Sequence, residues 1–378
     1  MSPSRLHELH EAGQSIWLDY IDRPMLFNGD LELHIREDAL MGMTSNPTIF
    51  EKALAEGSAY DEQLSAAPAD HTPWELFEAV ASDDVRRACD IFLPVYEQTN
   101  GRDGFVSLEV SPGAANDAEE SIAEARRLWA LVDRPNVMIK VPGTAAGALA
   151  VRSLIGEGIN VNITLLFSID AYREVIEAHM AGLEDRLASG RPIDRIASVA
   201  SFFVSRVDTE GDRRIASRLA DASPGESGRL RALEGRLAIA NAQLAYALFR
   251  DTVATDRWQA LAARGARVQR PLWASTSTKN PAYRDVRYVE ELIGPDTVNT
   301  LPPKTLEAFK DHGVVRRTVD ADIPGARAVV DELDALGISL EDITRVLLIE
   351  GLASFGQSFD ELLAGLERKM RALTHASS

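Results

Sequence analysis

The sequence predicts a closed (β/α)8 barrel with additional helices. Eight short apolar runs with the character of β-strands occur along the 378 residues, and segments with helical periodicity separate them. Strands that alternate with helices indicate a parallel sheet, and eight such units suggest a closed barrel. A doubly wound open sheet is the structural alternative. No GxGxxG motif follows the first run, which weakens the dinucleotide-binding form of that alternative.

The predicted strands follow one another at intervals that leave room for a helix between them. In chain order they are residues 15–21, 40–46, 104–110, 136–141, 160–167, 196–204, 270–276 and 297–302. Between them, stretches such as 118–132 and 168–189 place apolar residues at spacings of three and four, which predicts amphipathic helices.

Two intervals, about 51–103 and 205–268, are too long for a single crossover helix, and we expect helical insertions there. After the eighth strand, we expect C-terminal helices at about 303–378 that pack on the barrel. No Gly/Ser-rich or Pro-rich linker separates these parts. We therefore expect one domain over residues 1–378.

The charge and the cysteine content restrict the partners. With 58 acidic against 40 basic residues, the formal charge of −18 makes nucleic acid or an anionic membrane a poor partner, so any phosphate contact must be local. A single cysteine, Cys89, excludes an intramolecular disulfide and fits a reducing compartment. The polar start lacks the apolar core of a signal peptide, and no run approaches a membrane helix. We expect a cytoplasmic protein.

Lys140 is the strongest candidate for a catalytic group. Side chains alternate across a strand, so in NVMIKV the branched Val137, Ile139 and Val141 share one face while Lys140 lies on the other. That face is expected to point into the barrel, near the strand end where barrels carry their active sites. Burial of an ammonium favours the neutral, nucleophilic amine. The alternative is an edge-strand lysine that reaches to water.

Polar side chains in other strands share the same phase. Glu109 could transfer protons as a carbinolamine loses water, and Asp19 could take a proton from a substrate hydroxyl while a neighbouring carbon–carbon bond breaks. Thr164 lies on the same face of its strand as Asn162, and Asn46 lies on the same face of its run as Thr44. For each carboxylate taken alone, a salt-bridged structural residue is the alternative.

Donors for a phosphate group follow the sixth and seventh strands. Ser201 and Arg206 lie at the end of the sixth, and Lys279 follows the seventh. Barrels often bind phosphate at these late loops. For Arg206, the alternative is a surface salt bridge to Asp208 or Asp212.

Other chemistry is poorly supported by the sequence. The seven histidines are scattered without HxH or HExxH spacing, so we expect no metal and no other cofactor. A serine nucleophile is also disfavoured, because no GxSxG motif is present.

Taken together, these motifs resemble those of transaldolases of the longer bacterial type, over about residues 15–310. They occur in the family's order: GMTSNPTIF (42–50), VSLEVSP (106–112), NVMIKVPGT (136–144), GINVNITLLFS (158–168), ASVASFFVSRVD (197–208) and ASTSTKNP (274–281). The segment after about residue 310 carries no motif of this family and is expected to be structural.

The resemblance implies a metal-free class I aldolase barrel in which Lys140 forms a Schiff base with a ketose phosphate. It assigns proton shuttling to Glu109, the hydroxyl that holds the catalytic water to Thr164, and the carboxylate at the cleaved bond to Asp19. This transfer is residue by residue, on the motifs above.

The resemblance also implies the substrate contacts. Asn46 and Ser201 match residues that hold the dihydroxyacetone moiety, and Arg206 matches a phosphate-binding arginine. Lys279 stands where other members carry a second phosphate-binding arginine, so a bidentate contact is not expected there.

The expected activity is transfer of a dihydroxyacetone unit from sedoheptulose 7-phosphate to glyceraldehyde 3-phosphate, in the non-oxidative pentose phosphate pathway. Two alternatives stay open: a fructose-6-phosphate aldolase that releases dihydroxyacetone, and a sugar-phosphate-binding protein without turnover. The protein is expected to act as a monomer or homodimer.

Overall fold

Eight parallel strands close into a barrel in a computed structural model that describes residues 4–55, 58–68 and 70–376. Each strand pairs with the next in sequence, and the last pairs with the first. The strands are β1 Gln14–Asp19, β2 Leu40–Thr44, β3 Phe105–Glu109, β4 Val137–Pro142, β5 Val161–Leu166, β6 Ser198–Phe203, β7 Arg270–Ala274 and β8 Thr297–Leu301. The predicted fold class is confirmed, and each predicted strand overlaps one of these, with Gln14 of β1 and Pro142 of β4 lying one residue outside the predicted runs.

The α-helices surround the barrel and extend beyond it. In the described part of the chain they are α1 Arg5–Glu11, α2 Arg23–Phe27, α3 Asp30–Glu37, α4 Pro47–Ala55, α5 Asp61–Ala66, α6 Pro73–Gln98, α7 Ala118–Val132, α8 Ala145–Glu157, α9 Ile169–Ala188, α10 Ser205–Leu219, α11 Pro224–Arg231, α12 Leu237–Val253, α13 Asp256–Ala262, α14 Arg287–Glu290, α15 Pro303–His312, α16 Ile323–Ala335 and α17 Leu340–Ala376. None of these helices is both long enough and apolar enough to cross a membrane.

The long interval 51–103 contains the end of α4, then α5 and α6. Helix α6 has 26 residues and begins at a capping box, in which the Thr72 hydroxyl accepts from the Glu75 amide and the Glu75 carboxylate accepts from the Thr72 amide. The interval 205–268 forms α10 to α13. After β8 come α15 and α16 and then the 37-residue α17, which packs against α4, α6 and α10.

An apolar layer crosses the barrel interior on the N-terminal side of the site. Trp17, Phe105, Met138 and Leu272 belong to one buried cluster there. Gly42 makes room for the largest of them, because a Cβ on Gly42 would lie 2.6 Å from the Trp17 ring. This layer closes the barrel below the polar groups of the site.

Strand β5 departs from the predicted alternation. Strict alternation would place Leu165 on the helix-covered face, in phase with Val161 and Ile163. Instead, the β5–β6 register shifts between Ile163 and Leu166, and Leu165 adopts a positive φ of 58°. The irregularity turns Leu165 toward the cavity at the C-terminal end of the barrel, while Thr164 also lines that cavity.

Candidate active site

Strand register brings Lys140 and Glu109 together. The two residues are direct partners in the β3–β4 ladder, and the Lys140 Nζ lies 3.3 Å from the Glu109 Oε2. Nζ also donates to the Ser45 carbonyl oxygen at 3.0 Å. Both side chains are nearly withdrawn from solvent, with exposed fractions of 9% for Lys140 and 10% for Glu109. The predicted interior amine therefore has a carboxylate in contact with it.

Asp19 is held by the neighbouring strand. It pairs in register with Thr44, whose hydroxyl donates to the Asp19 Oδ1 at 2.7 Å. The Thr44 Oγ1 also lies 2.6 Å from the Thr300 Oγ1 on β8. Two short side-chain contacts thus fix the carboxylate at the end of β1.

Burial shifts both carboxyl groups in the same direction. Removal from water raises the pKa of Asp19, and the nearby Lys140 charge and the Thr44 hydrogen bond oppose part of that rise. Burial likewise raises the pKa of Glu109, against the charge and hydrogen bond of Lys140. A carboxyl group that keeps its proton at higher pH is suited to general acid–base chemistry.

A buried chain of polar side chains connects three strands below these groups. The Asn162 amide donates to the Ser107 hydroxyl at 3.0 Å, and the Ser201 hydroxyl donates to the Asn162 Oδ1 at 2.6 Å. Each interior residue is therefore bonded to its neighbour, which fixes Ser201 at its place on β6.

One cavity of about 840 Å³ opens at this end of the barrel. It is lined by all eight predicted site residues: Asp19, Asn46, Glu109, Lys140, Thr164, Ser201, Arg206 and Lys279. No hydrogen bond joins the Thr164 hydroxyl to another described residue. The Asn46 Oδ1 accepts from the Ile49 amide at 3.1 Å and caps α4, which leaves the amide nitrogen to donate.

The phosphate candidates differ in their surroundings. Arg206, in the first turn of α10, is half-buried with its guanidinium 5.5 Å from the centre of the Phe203 ring, and burial lowers its pKa. The alternative salt bridge to Asp208 or Asp212 does not form; these carboxylates accept hydrogen bonds from other residues. Lys279 is exposed, and its ammonium donates to the Ser277 hydroxyl at 2.9 Å.

Helix α17 lines the cavity, which sequence reasoning missed. The C-terminal segment was expected to be structural only, but Gly351, Ser354, Phe355 and Ser358 face the cavity. Their spacing of three, four and seven residues puts them on one side of the helix. Small and hydroxyl-bearing residues at that spacing were the available signal. Thr300, which supports Thr44, was also missed.

Comparison with known proteins places the chain in a family. Residues 16–366 match the sequence model of the transaldolase/fructose-6-phosphate aldolase family.

The chain belongs to this family.

Its relatives match it over almost their entire length. A transaldolase of Trichodesmium erythraeum is 46% identical over 99% of this chain and 100% of its own. Transaldolases of Thermobifida fusca and Acidothermus cellulolyticus are 47% and 48% identical, over 98% and 97% of this chain and 100% and 96% of their own. These relatives confirm the predicted resemblance to transaldolases. They also support the predicted transferase activity and sugar-phosphate substrates.

Proposed function

We propose that the protein transfers a dihydroxyacetone unit from sedoheptulose 7-phosphate to glyceraldehyde 3-phosphate through a Schiff base on Lys140. The products are erythrose 4-phosphate and fructose 6-phosphate. The observation that carries the proposal is the contact between the buried Lys140 amine and the Glu109 carboxylate, beneath a cavity that also contains Arg206. Full-length similarity to transaldolases supports it.

Schiff-base formation uses Lys140 and Glu109. The neutral amine adds to the C2 carbonyl of the ketose, and the carbonyl oxygen becomes the hydroxyl of a carbinolamine. Glu109 gives its proton to that hydroxyl, which leaves as water while the C=N bond forms. The raised pKa of Glu109 supports this role, since it favours the proton-carrying form. Thr164 holds the water during this step and its reversal.

Cleavage uses Asp19. Its carboxylate takes the proton of the C4 hydroxyl as the C3–C4 bond breaks, and the electron pair moves to the iminium to give an enamine on Lys140. The first aldose leaves as an aldehyde. Attack of the enamine on the second aldehyde reverses these steps, and Asp19 returns the proton.

The remaining residues orient the substrate. Asn46 and Ser201 hold the hydroxyl groups of the three-carbon unit, and Arg206 and Lys279 bind the terminal phosphate. Arg206 is suited to the stronger contact, because it is half-buried and no described carboxylate forms an ion pair with it. Lys279 acts as an exposed point charge.

Dependence on an acceptor separates transfer from release. With fructose 6-phosphate and erythrose 4-phosphate, we expect rapid formation of sedoheptulose 7-phosphate. Without an acceptor aldehyde, we expect almost no free dihydroxyacetone, since the enamine waits for a second aldehyde. Rapid release of dihydroxyacetone would instead support a fructose-6-phosphate aldolase. Binding of fructose 6-phosphate without conversion in either assay would support a non-catalytic protein.

We further propose that the chain folds as one domain and works in the cytoplasm as a monomer or homodimer. The packing of α17 across α4, α6 and α10 supports a single folding unit. A single buried cysteine and a charge of −18 fit a reducing compartment and small-molecule substrates. Cooperative unfolding, cell fractionation and light scattering check these three points in turn.

A further inference from the structure

The cavity has a cation on the side opposite Arg206. Lys52 lies on α4, which follows β2, whereas Arg206 lies on α10, which follows β6. These strands are four positions apart in a ring of eight, so their C-terminal ends face each other across the barrel. Lys140, on β4, lies between them along one side of the ring. The proposed function places the terminal phosphate at Arg206 and gives no role to Lys52, on the opposite side of the cavity.

The surroundings of Lys52 are polar and belong to the site. Thr48 and Lys52 are one helical turn apart on the cavity face of α4. A long helical side chain leans toward the N-terminus of its helix, so the Lys52 stem is directed toward the Asn46 end. Opposite lies α17, where the Ser358 hydroxyl accepts from the Thr48 hydroxyl at 3.0 Å and Ser354 also lines the cavity.

Lys52 shares with Lys279 and Lys304 the lack of an ion pair to a described carboxylate, and differs in this from the other three lysines. Lys140, Lys310 and Lys369 each form an ion pair, with Glu109, Asp38 and Asp61. Among the described residues no carboxylate lies within ion-pair distance of Lys52. In a chain with a net charge of −18, this leaves a positive charge at the cavity that an anion can neutralise.

We infer that Lys52, Ser354 and Ser358 form a second phosphate subsite, on the C1 side of a ketose bound to Lys140. The inference rests on the proposed function, because it needs C2 at Lys140 and the terminal phosphate at Arg206. That orientation directs C1 away from Arg206, toward α4. The ligand is a phosphate group: the C1 phosphate of a ketose bisphosphate, or free phosphate beside a ketose monophosphate. The cavity of about 840 Å³ has the size of sites for drug-sized ligands, which leaves room for both.

Fructose 1,6-bisphosphate tests whether the subsite binds a C1 phosphate that is attached to the ketose. We expect it to compete with fructose 6-phosphate in the transfer assay. The ratio of its inhibition constant to the KM of fructose 6-phosphate should rise about fivefold in Lys52→Met, the size of a partly exposed charge contact. Lys52→Arg should restore the ratio. Lys304→Met is the matched control, since it removes an exposed charge at the same end of the barrel but outside the cavity lining.

Inorganic phosphate tests whether the subsite binds free phosphate beside a ketose monophosphate. Inhibition that persists at saturating fructose 6-phosphate, and that Lys52→Met removes, would identify free phosphate as the occupant. If neither the bisphosphate ratio nor this inhibition depends on Lys52, the subsite does not exist. Borohydride reduction with fructose 6-phosphate distinguishes the two levels of failure. If the adduct forms but neither the bisphosphate ratio nor the phosphate inhibition depends on Lys52, the subsite alone is overturned, whereas the absence of an adduct overturns the proposed function and the subsite with it.

Discussion

Lys140 and Glu109 meet because they occupy directly paired positions on adjacent parallel strands. A one-residue change of register would turn one of them to the helix-covered face. The apolar neighbours Ile139 and Val141 are fully buried, and they fix which face Lys140 occupies. The reactive contact is thus specified by the hydrophobic pattern of two strands.

Glu109→Gln should lower the rate of transfer by about a hundredfold or more, because an amide cannot supply the proton that leaves with water. The wild-type pH–rate profile should show an ionisation above the ordinary glutamate value, and this ionisation should be missing in the variant. Glu124→Gln is the control, since Glu124 is another buried carboxyl whose pKa burial raises, but it lies outside the cavity lining. Equal losses in the two variants would count against a catalytic role for Glu109.

The same residue should affect the pH dependence of stability. Folding raises the pKa of Glu109, so its stabilising contribution is complete below the unfolded value of about 4.5 and is lost as the pH rises through the raised value. We expect the unfolding free energy of the wild type to decrease more between pH 5 and pH 8 than that of Glu109→Gln. Urea unfolding at several pH values measures this difference, and parallel curves would contradict it.

Residue positions on regular strands could be predicted from the sequence, because alternation alone gives the face of each side chain. Lys140, Glu109 and Asp19 all line the cavity as that pattern indicates. Thr300 could not be assigned, since its contact with Thr44 joins the last strand to the second, and this needs barrel closure. Pairings between distant segments leave no local pattern in the chain.

At the scale of elements, β1 and β2 pack closely because the large Trp17 side chain of β1 lies beside Gly42 of β2. The Trp17 ring occupies the space that a side chain at position 42 would need. This complementarity allows a tryptophan inside the barrel next to its neighbouring strand.

Gly42→Ala should destabilise the fold by about 1–3 kcal/mol, the usual effect of overpacking a core. Its new Cβ would lie 2.6 Å from the Trp17 ring. Gly228→Ala is the matched control. Gly228 lies in α11 with no atom within 4 Å of an added Cβ, and the change should stabilise by up to about 1 kcal/mol. Chemical denaturation checks both, and an unchanged Gly42→Ala would refute the packing argument.

The elements that the sequence could not place are those that depend on tertiary contacts. The register shift at Leu165 occurs in the pairing with the neighbouring strand β6, and alternation alone predicts the wrong face for the Leu165 side chain. Helix α17 was predicted as helical, but its place over the cavity comes from packing against α4, nearly 300 residues earlier. Amphipathic periodicity identifies a buried face without identifying the partner.

Across the whole molecule, the two ends of the barrel have different tasks. The cavity lies at the C-terminal end, while the N-terminal end contains a buried ion pair between Arg270 and Asp103 at 2.9 Å. Ser15 and Trp17 also donate to the Asp103 carboxylate. This network satisfies a charge that is nearly inaccessible to water.

Arg270→Met should therefore destabilise the protein by about 3–5 kcal/mol, because it leaves a buried carboxylate without its cation. The kcat of the folded variant should stay within about twofold, since the pair lies away from the cavity. Arg152→Met is the control: it breaks an exposed pair with Asp185 and should change stability by at most about 1 kcal/mol. Urea unfolding and kinetics on the same samples test whether the variant loses stability without losing activity. Unchanged stability, or a kcat that falls together with the stability, would contradict the prediction.

The central claim is that the Lys140 amine captures a ketose as an imine. Reduction with borohydride in the presence of fructose 6-phosphate, followed by peptide mass mapping, tests it most directly. We expect one stable adduct, on the peptide that contains Lys140, and none in Lys140→Met. An adduct on Lys52 or Lys279 instead, or no adduct in a protein that binds the ketose, would contradict the account.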